Sequence, residues 1–368
     1  MSTKIRQVPT LTHWGAYNIE VTDGEITAVR PFEDDPSPSA IGHSFVDALD
    51  HRSRIRQPAI RKSWLERGGK KKSGRRGSDT FINVSWDEAM DLVANELDRV
   101  RIQYGNEAIF GGSYGWSSAG RFHHGQSQIH RFLNQLGGYT FAKTSYSFAA
   151  AEVIIPHVFG CNFRDMFSSL TVWPVIAEHT DLVVMLGGMA LKNSQINGGG
   201  IGRHDTEFWL RRCKSSATEF VNVSPLRTDS ADFLQADWLP IRPNTDTALL
   251  LGIAHTLWAN NLYDIDFIER YCVGFERFLP YLTGESDNCA KNAEWASSIC
   301  AIPAELIRKL AFRMTKGRTL LSLAWSLQRA DHGEQPYWMA AVVAASISIA
   351  TSPRMARSIS GRCARFSF

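Results

Sequence analysis

The chain has 368 residues, 44% hydrophobic and 21% charged, with a formal net charge of +3. That length can bury a large core and predicts two domains or more, and the mixture is that of an ordinary globular protein, not a disordered or fibrous one. No apolar run reaches the roughly 20 residues that span a bilayer. The start, Met1-Ser2-Thr3-Lys4-Ile5-Arg6, carries no apolar signal core, so a cytoplasmic protein without a membrane span is expected.

Residues 1–30 alternate polar and apolar positions around Trp14 to Val21 and Glu25 to Val29, joined at Asp23-Gly24, which predicts a β-hairpin. Residues 31–63 are irregular and hold Pro31, Pro36, Pro38 and Pro58. Arg67 to Gly77 is the one basic cluster. It lacks interleaved aromatics, so a solvated insertion is preferred and no nucleic acid is expected as a partner.

Ser85-Trp86-Asp87-Glu88 is a capping box. Behind it Ala89, Leu92, Val93, Leu97 and Val100 share a helical face, and Gly105 closes the helix. Ala108-Ile109-Phe110 predicts a short buried strand running into Gly111 to Arg121, a turn rich in glycine and hydroxyls. A helix is expected from Arg121 to Leu136, with Phe122, Ile129, Phe132, Leu133 and Leu136 inward. Tyr139-Thr140-Phe141 leads to a second such turn at Thr144 to Ser147, and Phe148 to Val158 predicts another helix.

The alternation then continues. Strands are expected at 181–188, 219–223, 237–241 and 318–325. Helices are expected at 204–214, 246–260, 264–272, 292–300 and 304–316, that from Asp246 amphipathic. The fold class is therefore α/β: mostly parallel sheets with helices on both faces, preceded by a small N-terminal β-hairpin region. The expected segments are 1–63, β-rich; 64–180, carrying the two special turns; 181–345, a Rossmann-like dinucleotide-binding region; and 346–368, an off-pattern tail.

Chemistry-bearing residues collect just past the predicted strands: Tyr114 and Trp116, Ser145 and Ser147, Lys192 and Asn193, Ser224 and Arg227, Thr245 and Asp246, then Trp325, Gln328 and Arg329. Carboxyl ends of parallel strands share one edge, so these groups can converge on a crevice. Singly, each is an ordinary turn former or cap. Ser147 has three readings: a nucleophile, without the G-x-S-x-G elbow; a helix N-cap, favoured by residue type; or an alkoxide ligand to a highly charged metal. His123 and His130 share a helix face, but no carboxylate completes a metal set, and a surface reading is preferred. None of the six cysteines pairs as C-x-x-C, so neither a zinc ribbon nor a local iron–sulfur cluster is supported, and packed reduced thiols are expected.

At these residues the sequence resembles the dimethyl-sulfoxide reductase family of molybdenum enzymes. The resemblance rests on Ser113-Tyr114-Gly115-Trp116 with Gly120-Arg121, Gly137-Gly138-Tyr139, Tyr146-Ser147, Trp173-Pro174, Leu226-Arg227-Thr228, Thr245-Asp246-Thr247-Ala248 and Gln328-Arg329 with His332-Gly333-Glu334. It runs from about Trp14 to about Ala345 and is nearest the biotin sulfoxide and trimethylamine N-oxide reductase branch. It implies a bis(molybdopterin guanine dinucleotide) molybdenum cofactor and no iron–sulfur cluster. Ser147 would be the metal's protein ligand, Trp116 an indole donor to the metal's oxo group, and Tyr114 a donor to the substrate oxygen. Gly115, Ser117, Lys192, Asn193, Arg227, Asp246, Trp325, Gln328 and Arg329 would contact the cofactor. The implied reaction removes an oxygen atom from a small S-oxide or N-oxide, with the electron donor open. Four positions depart from the family: Ser145 for Asp, Met189-Ala190 for an Asp/Asn-Pro pair, Ser224 for Asn or Asp, and Ala324 for Gly. Family members are roughly twice as long, so a truncated form is expected. The alternative is a non-catalytic remnant or a module that binds a nucleotide or a partner.

Overall fold

The computed structural model describes residues 5–67, 77–113, 124–347 and the backbone of 366–367. Two compact units make up the chain, Met1–Lys143 with Gln195–His204, and Thr144–Ser194 with Asp205–Phe368. The division falls inside the expected 64–180 segment, and a short later stretch returns to the first unit.

In the first unit, β1 (Ile5–Thr12), β2 (Gly15–Thr22) and β3 (Glu25–Pro31) form an antiparallel meander. The expected hairpin is its second half. Asp23 and Gly24 both have positive φ, 52° and 97°, as a tight turn matched to strand twist requires. Tyr17, Ile19 and Val29 are the buried centre, with Trp14 and Phe45 against them. A ribbon of β4 (Ala59–Arg61) and β5 (Phe81–Asn83) follows. The helix Trp86–Tyr104 starts where the Ser85 hydroxyl accepts from the Glu88 N–H at 3.1 Å, and it stops at Gly105, φ 82°. Its expected inner face is only partly covered: Ala89 is buried, but Val93 is 49% exposed. The expected strand at 108–110 reduces to a single parallel bridge between Phe110 and Thr140. The next helix is described from Gly125 to Gln135. The returning stretch is pinned by His204, whose Nδ1 lies 2.6 Å from Asp35 Oδ2 and whose N–H donates to Asp35 Oδ1 at 3.0 Å, both side chains buried.

The second unit is built on a parallel sheet of β6 (Leu182–Leu186), β7 (Glu219–Val223), β8 (Asp237–Leu239) and, after the two-residue β9 (Cys272–Val273), β10 (Thr319–Leu323). The order across the sheet is β10-β6-β7-β8. Alternate residues serve opposite faces, as the pleat dictates. Val183, Met185 and Phe220 meet Ile176 and Leu210 on one side; Val184, Leu186, Val221 and Val223 meet Leu249, Leu250 and Ile253 on the other.

The helix Asp246–Ala259 departs from expectation. It is buried nearly all round and not amphipathic, because Ala293–Cys300, Ala304–Met314 and Gln335–Ser346 cover the sides the sheet does not. Among the helices that were not expected are Trp173–His179, Phe275–Thr283 and Gln335–Ser346. Each of these three contains a proline. Pro174 and Pro336 lie in a first turn, where no N–H is needed, so they mark helix starts and not breaks.

Candidate functional site

The chain enters the sheet at β6, moves outward through β7 and β8, then crosses back to place β10 on the far side of β6. The strand order therefore reverses between β6 and β10. In an open α/β sheet the crevice beyond the carboxyl ends at such a point is where ligands bind. Here the edge turns are tied to each other. Gly187 N–H donates to Val223 O at 2.8 Å, Ala324 N–H to Leu186 O at 2.8 Å, and Met189 N–H to Asp229 O at 2.7 Å. Gly187 and Gly188 have φ of 79° and 76°. A Cβ on Gly187 would lie 2.8 Å from Ala324 Cβ, and one on Gly188 2.5 Å from Asp229 Cβ. Only glycines let the turn after β6 nest against the turns after β10 and β7.

The sequence-predicted residues of this unit distribute along that edge. Lys192 and Asn193 lie in the short helix Leu191–Ser194 after β6, and Arg227 opens a helical turn after β7. Asp246 begins the helix after β8, and Trp325, Gln328 and Arg329 follow β10. Lys192, Arg227 and Arg329 are exposed cations, suited to an anionic ligand. Asp246 is different: it is buried, and its Oδ1 has no hydrogen-bond partner among the described residues. Burial pushes its carboxyl up to about 6. Asn222 and Ser230 are also buried at this end, with Asn222 Oδ1 and Ser230 Oγ likewise unpaired. Buried polar atoms are normally paired, so three such orphans point to a group that completes them. Sequence reasoning missed Asn222 and Ser230. The signal for Asn222 was present: an amide inside Phe220-Val221-Asn222-Val223, a run that reads as a fully buried strand.

The Ser147 turn stands at the same edge. Ser147 N–H donates to Ser145 Oγ at 3.0 Å, and Ala149 N–H to Ser145 O at 3.1 Å. The N-cap of the helix Ala149–Phe159 is Phe148, without a side-chain cap. The N-cap reading of Ser147 is thus corrected: the helix begins one residue later, and Phe148 holds the flanking position. Arg329 Nε donates to Ser147 O at 3.4 Å, and Ala151 N–H to Gln328 Oε1 at 2.9 Å. The Phe148 ring meets Trp325 edge-on at 4.9 Å and stacks on Phe163 at 5.4 Å. Tertiary structure thus brings Ser147 together with Trp325, Gln328 and Arg329, nearly half the chain away. Tyr114, Gly115, Trp116 and Ser117 lie outside the described residues, as does His123.

Three departures are absorbed locally. The Ser145 hydroxyl accepts the amide an Asp there would accept. Ser224 Oγ accepts from Leu226 N–H at 3.3 Å and donates to Asp229 Oδ2 at 2.7 Å, so it holds its turn as an Asn or Asp does. The Ala324 methyl is accommodated because Gly187 opposite it has none. The thiols of Cys213, Cys272 and Cys300 are buried, and burial pushes Cys272 up to about 12, which suits packing and not reactivity. Among the described residues no cluster of three or more His, Cys, Asp or Glu side chains could hold a metal, and no helix is long and apolar enough to cross a membrane.

Comparison with known proteins decides the family. The molybdopterin oxidoreductase model matches residues 54–359, and the molybdopterin oxidoreductase N-terminal domain matches residues 10–50. The chain belongs to the molybdopterin oxidoreductase family. The match extends past Ala345, where the sequence resemblance was expected to end. A dimethyl sulfoxide/trimethylamine N-oxide reductase of Cereibacter sphaeroides is 43% identical over 335 residues, covering 91% of this chain and 40% of that protein. A biotin sulfoxide reductase of the same organism is 45% identical, covering 87% and 43%. A trimethylamine-N-oxide reductase of Pasteurella multocida is 39% identical, covering 91% and 41%. The chain spans about two fifths of the length of these curated relatives. Acetylene hydratase from Pelobacter acetylenicus shares the fold, with TM-score 0.60 at 20% identity over 92% of this chain and 44% of that one.

Proposed function

We propose that this chain forms the metal-ligand and dinucleotide-binding portion of a molybdenum-dependent reductase for small S-oxides or N-oxides. The observation that carries the reading is the braced Ser147 turn at the switch point of the parallel sheet, with exposed cations and orphaned buried acceptors along the same edge. These residues fit a bis(molybdopterin guanine dinucleotide) group. Ser147 would supply the single hard oxygen ligand that a highly charged metal needs, the remaining donors coming from the pterins. Lys192, Arg227 and Arg329 would balance phosphate charge. Asp246 would accept paired N–H donors from a guanine, which keeps the carboxylate ionised despite its burial. Trp325 offers a half-open aromatic face beside them. When bound, the cofactor supplies two-electron oxygen-atom transfer; the chain's own part is to bind it, orient it and fix its serine ligand. Tyr114 and Trp116 are proposed as hydrogen-bond donors at the reacting oxygen, with Gly115 and Ser117 beside them. The region 181–345 is proposed as the dinucleotide-binding segment, without an iron–sulfur cluster.

The test is metal and pterin content of chain purified from a host that makes the cofactor. One molybdenum per chain, lost in Ser147→Ala and accompanied by sulfoxide-dependent oxidation of a reduced dye, supports the reading. A folded, metal-free wild-type chain removes it. A second reading, a nucleotide-binding module without catalysis, is favoured by the orphaned Asp246 alone. It predicts guanine nucleotide binding with no molybdenum.

A further inference from the structure

The helix Ala149–Phe159 lacks a capping side chain of its own, yet its first turn is not left open. Ala151 N–H donates to the amide oxygen of Gln328 at 2.9 Å, in a buried contact across 177 positions of sequence. The other end of that amide is used as well: Gln328 Nε2 donates to the Tyr337 hydroxyl at 3.3 Å, and that hydroxyl donates to Ala324 O at 3.1 Å. Gln328 is only 5% exposed. The Tyr337 ring packs in the cluster of Ala151, Ile154, Ile155, Val158 and Ala341, between the helix behind Ser147 and the helix Gln335–Ser346. A continuous line of hydrogen bonds thus runs from the end of β10, through Tyr337 and Gln328, to the amide four residues after Ser147.

We propose that Gln328 and Tyr337 form a buried brace that sets where the Ser147 turn stands, and that both are positioning residues for that serine. The proposal reassigns Gln328, expected from sequence to contact the cofactor: with both ends of its amide engaged inside the protein, it works through Ser147. It rests on the proposed function only for what Ser147 ligates. The physical reason is the ordinary one for helix starts. An uncapped first turn frays, and a frayed first turn here moves Phe148 and Ser147 with it. The Tyr337 hydroxyl faces a carbonyl, which can only accept, and burial, which pushes that hydroxyl up to about 12, favours its protonated donor form.

Amide exchange in the full chain tests the brace directly. In Gln328→Leu, exchange at Ser147 to Ala151 should quicken by about fivefold to tenfold, the effect of removing a cap. In Tyr337→Phe, which keeps the ring packing, it should quicken severalfold, while Leu182–Leu186 stays at the wild-type rate in both and reports an intact fold. Gln328→Glu keeps an oxygen for Ala151 and should restore most of the protection. Unchanged exchange at Ser147 to Ala151 in Tyr337→Phe and Gln328→Leu overturns the brace. In metal-loaded chain the Mo(V) electron paramagnetic resonance signal should broaden or shift in Tyr337→Phe at wild-type molybdenum content. An unaltered signal in both variants overturns the positioning role. If wild-type chain takes up no molybdenum, the proposed ligand role of Ser147 fails, and the exchange pattern alone still decides the brace.

Discussion

The two units meet the same physical demand, burying apolar surface, with different success. In the second, both faces of the parallel sheet are covered, and Leu210, Leu249, Leu250, Leu257 and Ile307 are sealed completely. In the first, the buried apolar side chains among the described residues are Tyr17, Ile19 and Val29 in the meander and the scattered Val84, Ala89, Ile109 and Leu133, with Gly, Pro and polar residues aside, while Trp86 is 68%, Met90 60% and Phe110 71% exposed. The difference teaches that the second unit is held by packing and the first by a few polar fastenings, of which His204–Asp35 is the most buried. Their dependence on pH differs in sign accordingly.

Each unit offers a substitution that could break this contrast. His204→Ala removes the imidazole from Asp35 Oδ2, while Asp35 Oδ1 keeps two backbone amides, and should cost roughly 1.5–3 kcal/mol there, read as faster amide exchange in Ile5–Pro31. An effect that spreads equally to Leu182–Leu186 would show that the units are not separately held. In the second unit, Leu250→Ala removes a sealed core side chain and should cost about 2–5 kcal/mol by urea titration. A cost under about 1 kcal/mol would refute a packing-dominated unit.

Acid sharpens the contrast. Asp246 has a raised carboxyl, so the folded second unit binds more protons than the unfolded chain between its ordinary value and about 6. Stability of the cofactor-free unit should therefore fall as pH rises through roughly 4 to 6, by up to about 3 kcal/mol. Asp246→Asn should flatten that slope; a slope unaltered by the substitution would disprove the assignment. Asp35 runs the other way. Burial works against its carboxylate, but the hydrogen bonds from His204 and Ser37 together outweigh it and hold the carboxyl below its ordinary value. Its contribution is complete above that ordinary value and is lost as pH falls through the folded one, so the first unit should loosen in acid that still favours the second. Smallest of all, Met90→Ser on the open helix face should change stability by no more than about 0.5 kcal/mol; a larger loss would mean that this face is packed in solution.

Much of the architecture was legible from short-range signals. The Asp23-Gly24 turn, the Ser85 cap, the Gly105 stop and the apolar runs at β6 and β7 each express a local preference strong enough to survive tertiary context. The helices Trp173–His179 and Gln335–Ser346 were not legible, because Pro174 and Pro336 start a helix only if the chain before them turns in from elsewhere. Nor was the surround of Asp246–Ala259, since a helix cannot report how many neighbours will cover it.

The sequence by itself determined which residues could do chemistry and, through a dense run of motifs, the family to which they belong. It could place Ser147, Asp246, Gln328 and Arg329 only near strand or helix ends. Tertiary structure decided what each does there. Crossing the chain back to set β10 beside β6 creates the edge at which the Ser147 turn is pinned. The same crossing brings a glutamine 177 positions away to cap the helix behind that turn. Packing of the helix after β8 buries Asp246 Oδ1 with no partner among the described residues. Hydrogen bonds act over about 3 Å, so which groups pair across such a span is settled only when the sheet order is settled.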